Sequence, residues 1–453
     1  MVVRESGAGV VAVTKKYSDV SSALKLATCT LLSSTALSAQ AAESSSDWLF
    51  DGAILHYSER DRVQVLEPVI AYRKYAQFDE FIEYKLTVDS MTGASPNGAT
   101  PSNVPQTFTG SSGQSGYSVP ADETPLRDFS DTRIAFNISS ETPLSNVSRR
   151  STGSALSIEQ DYGSVGYNTS YSNDVNEKHT TLTAGLGISL DLVYPDGGAP
   201  DALKNVNEPS AQTGDEEEDE DERDGESFDP EFKGMFDVLF GITQILNRST
   251  LMQLNYSHGF IRGYLTDPYK VVSVVDSITG EPVITPTTTY GTYLNESRPD
   301  ARDTNSIYWK TVVSIFGDVL RVSYRYFWDD WGIKSNTMDV HYRFGIGSKF
   351  YIQPHYRYYT QTAADFYRHS LRDDEPLPEF VSADFRLGEF VATTVGVKIG
   401  ADFGASSKFA VRFEQYKQSG ESHPDDAVGI QRNYDLYPTL EATIFQISYS
   451  KYF

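Results

Sequence analysis

From Trp48 onward the chain alternates apolar and polar residues with a period of two, while a 3.6-residue helical period is hard to find. Leu182, Ala184, Leu186, Ile188 and Leu190 form one stripe; Thr183, Gly185, Gly187, Ser189 and Asp191 form the other. The same pattern sets Leu320, Val322, Tyr324, Tyr326 and Trp328 against Arg321, Ser323 and Arg325. It recurs with Val391, Thr393, Val395, Val397 and Ile399 against Thr394, Gly396 and Lys398. Successive side chains of a strand point to opposite faces, so each stretch has one lipophilic and one hydrophilic face. The stretches run to about ten residues, the length a tilted strand needs to cross a bilayer. Strands are predicted near 48–58, 63–74, 79–90, 131–142, 152–160, 163–172, 179–193, 234–246, 250–262, 305–316, 318–329, 336–345, 348–360, 389–401, 407–418 and 439–453. That is about sixteen, an even number, as single-chain bacterial barrels require.

The connections are as informative as the strands. If the first strand runs outward, every second connection is short: Tyr75–Phe78, Pro143–Ser151, Ser172–Lys178, Asn247–Ser249, Gly317, Gly345–Gly347 and Gly404–Ser407. The other set includes 91–130, 194–233, 263–304, 361–388 and 419–438, all long and polar. A soluble sandwich has no reason to sort its loops by parity, whereas outer-membrane barrels do. The expected fold is all-β: a transmembrane antiparallel up-and-down β-barrel of about sixteen strands, with long extracellular loops and short periplasmic turns. The last strand, "IFQISYSKYF", turns Phe445, Ile447 and Tyr449 one way and Gln446, Ser448 and Ser450 the other. It is expected to pair with the strand at Trp48 and remove both sheet edges.

Composition changes this picture little. Hydrophobic residues make up 39% and no apolar run is long enough for a membrane helix, which leaves a barrel open because its strands show only alternate residues to lipid. The 29 Tyr and 24 Phe suit interfacial girdles. A formal charge of −24 opposes binding to nucleic acid, where phosphates must be neutralised. Lys15, Lys16 and Lys25 precede "LATCTLLSSTALSAQAAES", and Ala39-Gln40-Ala41 is a small-x-small cleavage signal. Residues 1–41 therefore read as a secretory signal peptide, and 42–453 as the barrel. Although "LATC" resembles a lipoprotein acylation site, the apolar run continues past Cys29. Cys29 is the single cysteine, so the mature chain is expected to hold no disulfide and no thiolate metal site. Export points to the outer membrane of a Gram-negative cell, with outer-membrane lipid as a partner. The run "GDEEEDEDERDGE", Gly214 to Glu226, repels itself and is expected to be a disordered, solvated loop within 194–233.

Opposite the apolar stripes, the second half carries charge: Arg321 and Arg325, then Asp339, His341 and Arg343, then His355 and Arg357, then Lys398, then Arg412 and Glu414. Strands adjacent in sequence pair in a meander, so these ten should share a lumen wall. An early strand adds Glu83, Lys85 and Asp89. Mixed charges can cross-brace the interior, tune a pore, or both. No G-x-S-x-G elbow and no H-E-x-x-H occurs, so no catalytic residue, cofactor or metal set is expected. A hydrolase remains the rival from another class, and a partner-docking barrel with a plugged lumen is a third reading.

"DSMTGASPNGATPSNVPQTFT", "TDPYKVVSVVD", "ESRPDAR", "DDWGIKSNT", "YYTQTAADFY" and "SADFRLGEF" resemble signatures of an uncharacterised bacterial outer-membrane protein family known only as a domain of unknown function. The resemblance covers nearly all the mature chain. It implies a barrel without assigned activity, and partners among an envelope lipoprotein and redox proteins, linked to a redox or metal pathway. Most signature segments fall in outer loops, where a binding role would sit. Asp89, Asp267, Tyr269, Lys270, Arg298, Asp329, Trp331, Asp365 and Tyr367 are the candidates there; the plain alternative is a lid of loops packed on one another. A terminal aromatic on an alternating last strand resembles the signal read by outer-membrane assembly machinery, which marks Phe453. The expected function is a pore, transporter or envelope scaffold.

Overall fold

The computed structural model describes residues 48–60, 62–76, 80–108, 117–195, 197–206, 230–283, 291–404 and 406–453. The signal peptide expected at 1–41 and the acidic run Gly214–Glu226 lie outside them. In chain order the strands begin with β1 (Trp48–Glu59), β2 (Gln64–Tyr75), β3 (Phe81–Pro96), β4 (Gln106–Phe108), β5 (Tyr117–Val119), β6 (Leu126–Pro143) and β7 (Ser148–Ile158). There follow β8 (Tyr162–Val175), β9 (Thr180–Val193), β10 (Glu231–Asn247), β11 (Thr250–Gly263), β12 (Val271–Val275), β13 (Tyr293–Asn295) and β14 (Ala301–Ile315). The rest are β15 (Asp318–Asp329), β16 (Lys334–Ile346), β17 (Phe350–Gln361), β18 (Leu371–Arg372), β19 (Phe390–Phe403), β20 (Ser407–Gly420) and β21 (Leu440–Tyr452). Sixteen of these close one barrel in the order β1-β2-β3-β6-β7-β8-β9-β10-β11-β14-β15-β16-β17-β19-β20-β21. Among the described residues no helix is long and apolar enough to cross a membrane.

Closure comes from β1 and β21, which pair antiparallel from Leu49↔Tyr452 through Ile54↔Ile447 to Glu59↔Ala442. Beyond the last strand, the Phe453 amide donates to the Trp48 carbonyl at 2.9 Å. Neither end of the sheet is left as an edge.

The alternation decides what each face meets. Ile54 is 55% exposed, Ile188 54%, Phe240 55% and Val395 58%, and all point away from the axis. Their neighbours Leu55, Leu239, Ala392 and Thr394 are buried inside. On β21, Phe445, Ile447 and Tyr449 are exposed while Gln446 is buried, as the tail's pattern requires. Phe453 is also exposed, with the Lys451 ammonium 4.7 Å from its ring centroid. An outward belt of this composition is costly in water and stabilising in hydrocarbon.

On one rim every connection is short, while the other rim carries the long loops together with three short connections, β1–β2, β7–β8 and β15–β16. The β14–β15 turn is Phe316-Gly317, both at positive φ (50° and 99°), the conformation of a two-residue hairpin matching strand twist. Expected and observed strands differ mainly on the opposite rim. β3 continues to Pro96 and β6 begins at Leu126, pairing through Gly93↔Phe129 well past the expected ends at 90 and 131. Backbone pairing outside a bilayer needs no apolar alternation, so the pattern does not mark it. The turn expected at Pro143–Ser151 is shorter, because β7 starts at Ser148. The small strands β4, β5, β12, β13 and β18 lie in outer loops, where no strand was expected.

The outward belt yields a direct test. Ile54→Arg, at the middle of the closing seam, should cost about 2–4 kcal/mol of folding stability in lipid vesicles, the depth-dependent cost of a lipid-facing cation. Denaturant titration of refolded protein measures it; a cost near zero would mean that this face does not meet hydrocarbon.

Candidate functional site

All ten sequence-predicted wall residues lie on β15, β16, β17, β19 and β20, in register with side chains turned inward. The densest contacts surround His355. Its Nδ1 lies 2.7 Å from Glu414 Oε1 and its Nε2 lies 3.1 Å from Asp339 Oδ2. His341 Nε2 lies 2.8 Å from the other Asp339 oxygen, and the two imidazoles stack with centroids 4.0 Å apart and planes 8° from parallel. Gln353 Nε2 is 3.4 Å from His341 Nδ1, while Gln353 Oε1 is buried without a hydrogen-bond partner. Asp339, His341 and His355 offer ligand atoms within 4.8 Å of one another, a metal-competent set that the sequence reading did not expect.

The reach from His355 to Glu414 depends on Gly396. His355 pairs with Gly396 in register, and Gly396 pairs with Glu414, so β19 lies between the two side chains. A Cβ built on Gly396 would stand 2.3 Å from Glu414 Cγ. The missing side chain lets the two groups meet over β19. Neither Gly396 nor Gln353 was singled out from the sequence; the signal available was a glycine inside an inward stripe, between Thr394 and Lys398.

Around this cluster the wall is cationic. Arg412 Nη1 is 3.8 Å from Glu414, Arg343 Nη2 is 3.6 Å from Asp402, and the Arg343 guanidinium sits 3.6 Å from the Tyr351 ring centroid. Arg321 and Lys398 complete the wall with partners of their own. Arg325 lies 5.7 Å from the Tyr308 ring centroid, and neither it nor Arg357 has an ion-pair partner among the described residues. The opposite wall is rich in buried acids, with Asp89 on β3, Asp131 and Glu141 on β6, Asp191 on β9 and Asp237 on β10. Some are neutralised: Arg133 grips Asp89, and Lys233 lies 3.2 Å from Asp191.

The outer loops meet over the mouth. β12 pairs antiparallel with β13 and parallel with β18, and Val272, Val274, Leu294, Leu371, Val381 and Ala383 form a buried core there. Phe108 and Val119 of the β4–β5 hairpin pack on Val271 and Tyr293. Hydrogen bonds tie loop to loop: Val271 N to Asn97 O at 2.9 Å, Val206 N to Tyr293 O at 2.9 Å, and Tyr434 Oη to Asp122 at 2.6 Å. The lid also grips the barrel's inner wall. Gln361 Nε2 donates to the carbonyls of Arg386 and Gly388 at 2.8 Å each, and Gln418 Nε2 donates to Tyr437 Oη at 2.7 Å.

Most loop candidates lie inside this lid. Asp267, Lys270, Glu296, Arg298, Asp384 and Arg386 form a buried network of three acids and three bases. Arg298 reaches Glu296 at 2.6 Å and Asp384 at 3.0 Å; Arg386 reaches Asp267 at 2.8 Å and also holds Asp384. Lys270 Nζ donates to the Pro96 carbonyl. Burial pushes the Lys270 ammonium down and the Glu296 carboxyl up. Burial pushes Asp384 up too, but Arg386, Lys270 and Arg298 outweigh it and hold its carboxyl well below the usual range. Tyr269 Oη donates to Asp161 at 2.5 Å. Asp329 accepts from Arg302 and from the amides of Trp331 and Ile333. Trp331 is buried with Ile333, Ala364 and Leu387, and Phe366 and Tyr367 pack against them. Asp365 lies against Gly332, whose positive φ it overhangs. Asp131 of β6 gathers with Glu159 and Asp161 of the β7–β8 connection.

The family described as "Protein of unknown function (DUF3570)" matches residues 21–451. No curated protein matches the chain. Among solved structures, a mutant of the ferric enterobactin receptor PfeA from Pseudomonas aeruginosa is similar at 7% identity and a TM-score of 0.41, over 83% of this chain and 54% of that one. The chain thus spans about half the length of that receptor. Outer-membrane expressed OmpT of Vibrio cholerae is similar at 8% identity and a TM-score of 0.39, over 90% of this chain and 99% of that one. The monoaromatic hydrocarbon channel CymD is similar at 7% identity and a TM-score of 0.35, over 91% and 90%. Likeness at this level is to barrel architecture alone.

Two outcomes follow from this geometry. Gly396→Leu should drive Glu414 off His355 and destabilise the barrel by about 1–3 kcal/mol, the usual cost of overpacking, read by denaturant unfolding. In the lid, Asp384 has a folded-state pKa below its unfolded one, so its stabilisation is complete above about pH 4 and declines as pH falls below that. Glu296 is shifted the other way and favours the folded state at low pH. Asp384→Asn should therefore flatten the acid limb of lid stability, followed by Trp331 emission in a chain whose other tryptophans are phenylalanine. An unchanged limb would remove Asp384 from the network's energetics.

Proposed function

The chain belongs to the DUF3570 family of proteins of unknown function, and from that premise we propose that it is a gated, water-filled conduit for polar solutes across the outer membrane of a Gram-negative cell. The observation that carries this reading is the pair Arg325 and Arg357, guanidiniums on the inner wall without a carboxylate partner among the described residues. An ionised group in a dry interior costs many kcal/mol unless paired, so these two support a hydrated lumen. A barrel of about sixteen strands is wide enough to hold one. Water beside walls of opposite charge makes a path for ions and small polar molecules.

The lid supplies the gate. It meets the barrel wall through the Gln361 and Gln418 amides, and six charged residues hold its loops to one another; charged groups are readily rehydrated when a contact opens. The belt supports contact with outer-membrane lipid, and Phe453 on the exposed face of the tail supports recognition by assembly machinery. Deleting Phe453 should lower the amount of folded barrel recovered from membranes. A hydrolase gains no support from the wall cluster, because both ring nitrogens of His355 face carboxylates rather than a nucleophile's hydroxyl. The rival is a permanently plugged docking barrel, which the lid's apolar core favours.

Planar-bilayer recording separates the two. The native protein should open rarely, and Arg298→Ala combined with Asp384→Ala should raise open probability by removing an ion pair from the latch. Replacing Arg325 and Arg357 with Ala in that background should shift selectivity toward cations. Silence from the native protein and from the latch variant, with the barrel folded, would overturn the conduit.

A further inference from the structure

We infer that Asp339, His341 and His355 form a binding site on the lumen wall for one divalent transition-metal ion, with Glu414 and Gln353 as its outer support. This goes beyond the conduit reading and does not depend on it, since ion binding is measurable whether or not the lid opens.

Two imidazole nitrogens and one carboxylate converge here from β16 and β17. Asp339 Oδ1 lies 2.8 Å from His341 Nε2 and Asp339 Oδ2 lies 3.1 Å from His355 Nε2, and one donor atom from each residue lies within 4.8 Å of the other two. Donor atoms around a tetrahedral ion with bonds of about 2.0–2.1 Å stand roughly 3.3 Å apart, so modest side-chain rotations bring one atom of each onto a shared ion. The strands supply the arrangement without strain, because Asp339 and His341 are two residues apart on one face and His341 pairs with His355 in register.

The surrounding groups are those a metal-binding histidine needs. A ligating imidazole usually donates its second N–H to a carboxylate or carbonyl, which fixes tautomer and ring orientation. His355 has this partner in Glu414, at 2.7 Å from Nδ1, and Glu414 is almost wholly buried. His341 Nδ1 faces the Gln353 amide at 3.4 Å, and Gln353 Oε1 is buried without a hydrogen-bond partner. With its amide turned so that Oε1 faces His341, Gln353 accepts from Nδ1–H and that oxygen gains its partner.

The neighbours select the class of ion. Arg321 and Arg357 are the register partners of His341 and Asp339 and face the same space. They disfavour a cation held by charge alone, as Ca²⁺ or Mg²⁺ is held by oxygen ligands. An ion of borderline softness, such as Zn²⁺, Fe²⁺, Co²⁺ or Ni²⁺, gains its affinity from imidazole nitrogen instead. Asp339 and His341 are about one quarter exposed, so coordination positions face the lumen.

The test uses the full chain, purified in detergent and freed of metal, with Zn²⁺ in equilibrium dialysis and Co²⁺ as a spectroscopic probe. About one ion per chain should bind, and Co²⁺ should show the visible absorption of a nitrogen-bound site. His341→Ala and Asp339→Asn should each weaken binding at least tenfold, and Glu414→Gln by about 10–100-fold through its hold on His355. His423→Ala, at an exposed loop histidine, should change nothing. His341→Ala keeps the Asp339–His355–Glu414 chain intact, so it answers the question even where Asp339→Asn fails to assemble. No ion bound by the native protein, or binding by folded His341→Ala equal to native, would overturn the site.

Discussion

In hydrocarbon every backbone N–H and C=O must find a partner within the protein, and the pairing of β1 with β21 is where that requirement is finally met. An open sheet of these strands would expose two unpaired edges to lipid. Closing it fixes the rest: side chains at odd and even positions must serve opposite solvents, and successive connections must fall on opposite rims. It also creates an interior too wide for side chains alone to fill. The charged walls and the lid are two answers to that interior.

The two answers use charge differently. On the wall, partners come from register, so Asp339, His341, His355 and Glu414 meet because neighbouring strands hold them level and Gly396 leaves the space between. In the lid, partners come from loops distant in sequence, with Arg298 pairing Asp384 across 86 residues. Removing one member of such a buried pair typically costs about 3–5 kcal/mol, because the other is left charged and unpaired. The lid's geometry is thereby specified by its ions, while Val272, Leu294 and Val381 supply the area that keeps it folded.

The barrel was legible in the sequence because period-two alternation is local. Leu182 to Asp191 declares both faces of β9 without reference to any other strand, and the parity of connection lengths declares the topology. The ten wall residues share one face of their strands for the same reason. What they do together was not legible, because the His355–Glu414 contact depends on two strand registers and on an absent side chain at Gly396. The lid was visible only as one of two alternatives. Lys270, Arg298 and Trp331 were picked out as binding candidates from unusual loop sequence, and the structure spends that sequence on interior contacts. Irregular loops have no period, so nothing in the order of residues tells Asp267 that its partner is Arg386.

The Phe316-Gly317 turn, two residues at positive φ, has a mechanical side. A hairpin that tight cannot lengthen or let its strands slide, and its companions on the inner rim are nearly as short. The molecule is therefore stiff at that end. A partner pressing on the inner rim would find no moving part to push. For the conduit proposed above, work on the lid would come from its outer face, or from a solute arriving at its underside through the lumen.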